Sequence, residues 1–443
     1  MKKLVALLLS LVLVFAMAAC AKTQPTSTQG PSNPASSGPS GSEPSGSAPA
    51  QNITLTIAFP GQDVDEQAFD EVIAEFYKDN PGINVNPIAI PNTGWADYVA
   101  KIKSMVAGGN PPDVIRIAVQ GIAELVANNL AIPYDDYIKQ NPSVFNADEY
   151  YPQELLEYFK VDGKLYGLVW DANNVVLHVN TKLVEEAGAV LPDSNWTIDQ
   201  FIEFGKKISG ERNGKKVYAY AMPHNYFATS AWLFQNGASF FNEDMTECTL
   251  DDPKAIEVFR LLQDMIYKYG ISPQPTPESN YTNQFLSEQV AMITAGRWNQ
   301  ATYAKNNMDT IALTLLPKMK QQIMTYGGGA YTMISSTKYP NEAFKLAAFM
   351  SGHYSQRHYL DGGSIPTIKA VAEEVVPVAQ PVPKNFELFI KSPVPVKVVE
   401  SPSAYSAIEG VFNRYYSQLL ANEISPEDAC LGMKEEMDKL LKK

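Results

Sequence analysis

From Asn52 onward the chain alternates short segments rich in β-branched residues with segments whose apolar residues recur at helical spacing, an order few folds accept. Asn52 to Phe59 (N-I-T-L-T-I-A-F) reads as a strand, and Glu66 to Lys78 follows with Phe69, Val72, Ile73 and Phe76 on one helical face. After the turn Asn80-Pro81-Gly82, Ile83 to Ile90 is a second strand signal and Tyr98 to Ala107 a second amphipathic helix. Gly108-Gly109-Asn110-Pro111-Pro112 breaks that helix and leads into a third strand, Asp113 to Val119. Strands separated by helices predict a doubly wound, mainly parallel α/β sheet. The alternation resumes with a strand over Leu165 to Val179 and a helix opened by Thr197 and Gln200 at capping-box spacing. Further helices are expected over Pro253 to Tyr269, Asn341 to Ser351, Tyr405 to Ala421 and Ser425 to Lys442. In the last of these, Ser425-Pro426-Glu427-Asp428 supplies a cap, a first-turn Pro and two acids.

Residues 1–50 do not belong to that pattern. Lys2 and Lys3 precede an apolar run from Leu4 to Phe15, which ends in Ala16-Met17-Ala18-Ala19-Cys20. A basic start, an apolar run too short to span a bilayer and small residues before a Cys predict a secretory signal peptide over 1–19. Ala16 to Cys20 resembles a bacterial lipobox, with Met17 where Leu is usual. Cys20 is therefore expected to be lipidated, anchoring the chain at the cell surface on the outer face of the cytoplasmic membrane. Ala21 to Ala50 is almost all Ser, Pro, Gly, Thr, Gln and Ala and holds no large apolar residue. Such a stretch cannot offset its ordering entropy by burial, so 20–50 reads as a flexible tether behind the lipid.

The remainder is long enough for two domains, and 45% hydrophobic with 11% aromatic residues gives them material for a core. A formal charge of −13, more negative once Lys2 and Lys3 are removed, argues against nucleic acid and against electrostatic attachment to anionic lipid. With Cys20 reserved for lipid, Cys248 and Cys430 are too few for a disulfide framework and match no metal spacing; whether they pair is open. His178, His224, His353 and His358 do not stand at the spacing of a zinc helix. No nucleophile elbow, Walker pattern or dinucleotide fingerprint occurs, so neither a metal nor a cofactor is expected.

Several segments, taken in order, carry a family resemblance. They are Leu55 to Phe59, Phe69 to Asn84 (F-D-E-V-I-A-E-F-Y-K-D-N-P-G-I-N), Gly109 to Val114 (G-N-P-P-D-V) and Asp162 to Lys182 (D-G-K-L-Y-G-L-V-W-D-A-N-N-V-V-L-H-V-N-T-K). Val290 to Trp298 (V-A-M-I-T-A-G-R-W), Leu315 to Ile334 and Gly362 to Thr367 (G-G-S-I-P-T) complete the series. In that order they resemble the extracellular solute-binding proteins of carbohydrate ABC importers, the maltose-binding-protein-like family. The resemblance implies a two-lobed, type II periplasmic-binding-protein-like clamp, with 51–167 and 328–363 in one lobe and 168–327 and 364–443 in the other. It also implies a monomer that closes on ligand by a hinge motion and is then recognised by ABC transporter permease subunits.

Sugars present apolar ring faces and a rim of hydroxyls, so their sites combine aromatic platforms with amides, carboxylates or Arg. By the resemblance, Trp170, Asp171 and Asn173 stand where family members carry an aromatic, an acid and an amide facing the cleft, and Trp298 matches the family's stacking aromatic. Arg297 beside it is read as either a ligand contact or a surface ion pair. Trp95, in Asn92-Thr93-Gly94-Trp95, lies in a segment of the type that lines the first lobe's rim. Tyr226 and Trp232 fall in a region where the family places aromatics over the cleft, and Arg116 is a candidate on the third strand. Gly327-Gly328-Gly329-Ala330-Tyr331 resembles the segment that recrosses the cleft, which puts Gly328 and Tyr331 near ligand. Trp196 is expected in the core, and Asp113 is expected to be structural.

The function expected from the resemblance is capture of a sugar or oligosaccharide for a bacterial ABC importer, with no enzymatic role. A receptor for a non-sugar solute such as glycerol phosphate or a polyamine is the alternative. A secreted glycoside-active enzyme is a further one, because paired carboxylates cannot be judged from sequence.

Overall fold

The computed structural model describes residues 52–61, 66–151, 154–212, 214–223, 225–276, 279–358, 365–375 and 383–442. The expected signal peptide, the tether, Cys20 and the junction at 363/364 fall outside the described residues.

Strands β1 (Ile53–Pro60), β2 (Ile83–Ile90) and β3 (Val114–Ala118) alternate with helices α1 (Glu66–Asp79) and α2 (Trp95–Ala107), as the periodicity requires, and α3 (Val119–Ala127) follows directly. β1 is parallel to both neighbours, with Ile57 opposite Pro87 on one side and Val114 on the other. Leu55, Ile57, Phe69, Phe76 and Val114 are all buried, so both helical stripes and strand faces meet in one core. Asp113 is structural: its Oδ2 accepts the Thr56 N–H at 2.8 Å and its Oδ1 the Thr337 hydroxyl at 2.6 Å.

The chain then enters β4 (Leu168–Asn180) and continues through α4 (Ile198–Ile208), β5 (Lys215–Tyr220), α5 (Tyr226–Gln235), α6 (Pro253–Tyr267), β6 (Val290–Ala295), β7 (Ile311–Thr314) and β8 (Met324–Met333). It finishes with α7 (Pro340–Ser351), α8 (Tyr405–Leu420) and α9 (Pro426–Leu441). The helix starts follow the caps read in the sequence. Thr197 and Gln200 form both halves of a capping box on α4, and the Ser425 side chain caps α9 ahead of Pro426. Trp196 is core, its indole N–H donating to Leu315 O at 2.9 Å.

The main sheet runs β2-β1-β3-β8-β4-β6-β5, and it is mixed where a mainly parallel one was expected. β8 is antiparallel to β3 and to β4, and β4 is antiparallel to β6 and β7, while β5 and β6 are parallel. The cause is the length of β4 and β8. One end of β4 pairs Leu168 with Tyr331, the other pairs Val176 with Ala295; β8 in turn sets Gly329 opposite Ala118. The chain thus crosses from one half of the sheet to the other along β4 and returns beside it along β8, necessarily in the opposite sense.

α8 bridges the same two halves. It packs against α2 and α3 at one side and against α6 and α9 at the other. The Ser406 N–H in its first turn donates to Glu124 Oε2 on α3 at 2.8 Å, and near its end Arg414 and Tyr415 engage Glu436 on α9. Cys248 and Cys430 are buried free thiols.

Candidate ligand-binding cleft

The two crossing strands make the floor of a cleft of about 700 Å³, within the range usual for small-molecule sites. Its walls are the starts of α2 (Thr93 to Asp97), α5 (Asn225 and Phe227) and α8 (Tyr405, Ser406, Glu409, Asn413), with Tyr281 and Trp298 between. Every residue of β4 is buried except Asn173, which is half-buried where the strand passes the cleft. Asp171-Ala172-Asn173-Asn174 sets one carboxylate and two amides into a mostly apolar strand at its crossing point. The buried Asn174 side chain is used internally, donating to Leu388 O at 2.6 Å.

The glycine run on β8 is required by close approach. A Cβ on Gly329 would lie 2.5 Å from Asp171 Oδ1 and 2.7 Å from Trp170 Nε1, and one on Gly327 would lie 3.0 Å from the Phe227 ring. Without side chains there, Trp170 and Asp171 pack onto the neighbouring strand and the floor stays open. The Arg116 guanidinium sits 4.8 Å from the Trp170 ring centre and 5.9 Å from that of Phe59, a cation held between aromatic faces. Across the cleft, Phe227 and Trp298 pack with ring centres 6.0 Å apart, and Trp95 meets Tyr98 edge-on at 5.9 Å.

The carboxylates in the cleft are already engaged. Asp171 Oδ1 accepts the Gly329 N–H at 2.6 Å and its Oδ2 accepts from Asn173 Nδ2 at 2.7 Å. Burial pushes its pKa up to about 6, opposed by the nearby Arg116 charge and these hydrogen bonds. Asp97 accepts from the Thr93 N–H at 3.0 Å and from Lys101 Nζ at 2.8 Å, and the Lys101 bond leads in holding its pKa below the ordinary range. Glu409 accepts the Tyr405 hydroxyl at 2.7 Å, and burial raises its pKa. By contrast Gln120 is buried in the cleft wall, and its Oε1, Asn173 Oδ1 and Ser406 Oγ have no hydrogen-bond partner among the described residues. Among the described residues no His, Cys, Asp and Glu cluster could hold a metal ion.

Polar groups left unbonded between aromatic walls, on a floor made of two crossing strands, describe a site that takes a polar solute. The family model of bacterial extracellular solute-binding proteins matches residues 71–385. This chain belongs to that family. An arabinooligosaccharide-binding protein of Halalkalibacterium halodurans is 25% identical over 58% of this chain and 56% of its own length. The maltodextrin-binding protein of Bacillus subtilis is 22% identical over 74% of this chain and 78% of its own length. An ABC substrate-binding protein of Listeria monocytogenes, solved with cycloalternan, superposes with a TM-score of 0.80 at 23% identity, covering 88% of this chain and 99% of its own. The acarbose receptor GacH of Streptomyces glaucescens gives 0.75 at 19% identity, with the same coverage. The fold of this solute-binding protein is therefore the two-lobed, type II clamp that the resemblance implied, and membership of the family places it outside the cytoplasm.

The solute-binding protein brings Trp95, Arg116, Trp170, Asp171, Asn173, Trp298 and Gly328 together around the cleft. Four other expected residues are elsewhere. Tyr226 is fully buried, stacked on Phe240 at 4.2 Å, and its chain neighbour Phe227 faces the cleft instead. Trp232 is fully buried, with its indole N–H on the Tyr220 hydroxyl at 2.9 Å. Both lie on α5, nearly every residue of which is buried, so helical periodicity gives no sign of which side faces ligand. Arg297 is buried, with its guanidinium over the Phe386 ring and its charge felt by Asp171. Tyr331 is buried between Phe59 and Trp170, supporting the floor from beneath.

Sequence reasoning missed Gln120, Phe227, Tyr281 and the first turn of α8. Gln120 had a usable signal, being a polar residue in the first turn of the mostly apolar α3, immediately after a strand. The α8 residues had none, since only the bridging position of that helix brings them to the cleft.

Proposed function

We propose that this chain is the substrate-binding lipoprotein of a bacterial ABC importer, which captures a sugar or oligosaccharide in the cleft by hinge closure and delivers it to the permease. The observation that carries this reading is the pairing of aromatic faces with unbonded amides. Trp170, Trp298, Phe227 and Trp95 offer platforms for sugar rings, while Gln120, Asn173 and Arg116 offer planar groups for hydroxyls. The oligosaccharide-binding relatives and the sugar complexes of similar fold support the same ligand class.

In this reading the lobes comprise 51–167 with 328–363 and 168–327 with 364–443, hinged where β4 and β8 cross, with α8 from the second lobe reaching the first. The signal peptide over 1–19 directs export and is removed, and lipid on Cys20 with the tether over 20–50 then holds a monomer on the outer face of the cytoplasmic membrane, within reach of the permease. A thermal-shift screen against mono- and oligosaccharides tests the reading, because a ligand of the native state raises the midpoint. A shift with one glycan, confirmed by calorimetry without product formation, is expected. No shift with any sugar reassigns the cleft to a non-sugar solute, and consumption of the sugar reassigns it to an enzyme.

A further inference from the structure

The Asn173 amide is not free to choose its orientation. Its Nδ2 donates to Asp171 Oδ2 at 2.7 Å, while Asp171 Oδ1 is taken by the Gly329 N–H. Turning the amide over would set its oxygen against a carboxylate oxygen, acceptor against acceptor. The Asn173 Oδ1 atom is therefore fixed as the remaining group, and no donor among the described residues reaches it. Its cross-strand neighbour is Gly327, which brings no side chain of its own, and the Phe227 ring packs over that glycine. Leaving such an acceptor unmet is unfavourable, a cost the bound ligand can remove.

From this we infer that Asp171 is a positioning residue: it fixes Asn173 as an acceptor on the cleft floor, so that the bound sugar must place a hydroxyl donor there. The inference rests on the sugar reading above and adds a specificity rule to it. A hydroxyl donates to Asn173 Oδ1, whereas a fluorine or a methoxy oxygen brings only lone pairs to an acceptor. Asp171 itself is not spent on ligand, because its two oxygens serve the neighbouring strand and the amide.

Asp171→Asn reverses the rule. The new amide keeps its oxygen on the Gly329 N–H and turns its NH2 toward Asn173. Asn173 then flips and offers its own NH2 to the ligand, which a fluorine tolerates better than it tolerates an oxygen. Asn173→Ala removes the discriminating group altogether and serves as the second variant, with circular dichroism and melting confirming that each is folded.

The test is calorimetric titration of the purified chain, first with maltotriose, mannobiose and an arabino-oligosaccharide, then with the monodeoxyfluoro analogues of whichever binds. One analogue is expected to bind the wild type at least about tenfold more weakly than the parent sugar, the loss of one good hydrogen bond to a buried partner. That penalty is expected to fall to about twofold or less in both variants, a change in ratio that a merely structural role for Asp171 would not produce. A penalty of equal size in wild type and variants overturns the inference, as does a wild type that penalises no analogue. If no sugar binds the wild type, the functional reading fails first, and the inference fails with it.

Discussion

The Asp171 carboxylate and the Gly329 N–H, 2.6 Å apart, tie β4 to β8 at the point where the register of the two strands shifts. Gly329 has no room for a side chain there, since its Cβ would fall on Asp171 Oδ1 and Trp170 Nε1. Gly329→Ala is expected to lose about 1–3 kcal/mol of stability through overpacking, read as a lower denaturation midpoint at unchanged slope. A variant as stable as the wild type would show that the strands are not packed this closely.

Asp171 also gives stability a pH dependence. Its folded pKa of about 6 stands above the ordinary 3.8, so the ionised side chain opposes folding. The stability it contributes is complete below 3.8 and is lost as pH rises through about 6. Melting wild type and Asp171→Asn from pH 4 to pH 7 is expected to show the difference moving against the wild type as pH rises. A difference that stays constant across that range contradicts the buried, raised carboxylate.

Gln120 Oε1 has no hydrogen-bond partner among the described residues, yet the residue is buried in the cleft wall. Gln120→Met removes an unmet polar group, so the empty protein is expected to keep its stability or gain up to about 1 kcal/mol, while ligand affinity falls about tenfold. Equal affinity in denaturation-matched titrations would take Gln120 out of the ligand's reach.

Two tryptophans that look alike in sequence separate cleanly in the same experiment. Trp232 is fully buried, and Trp232→Ala is expected to cost about 3–5 kcal/mol of folding free energy. Trp298 is half-buried at the cleft, and Trp298→Ala is expected to cost less stability but weaken sugar binding by tenfold or more. Unchanged affinity in the second variant removes Trp298 from the site.

Much of the architecture was legible because it rests on local signals. Strand and helix periods gave β1, α1, β2, α2 and β3, and capping residues gave the starts of α4 and α9. The segments Trp170-Asp171-Ala172-Asn173 and Gly327-Gly328-Gly329, which lie on the two crossing strands, stood out through the family resemblance and not through a local signal. Strand direction was not legible, because periodicity is the same for parallel and antiparallel pairing and only the return along β8 decides it. Nor was the choice between Tyr226 and Phe227, adjacent residues on a helix buried nearly all round, or the arrival of Tyr405, Ser406 and Glu409 from a helix far along the chain.

The most direct measurement is a crystal structure of the protein with the oligosaccharide selected by calorimetry. Sugar density lying between Trp170 and Trp298, with a hydroxyl on Asn173 Oδ1 and the Gln120 amide engaged, is the expected result. Density for the sugar outside the cleft, or a cleft occupied with Asn173 and both tryptophans untouched, would contradict it.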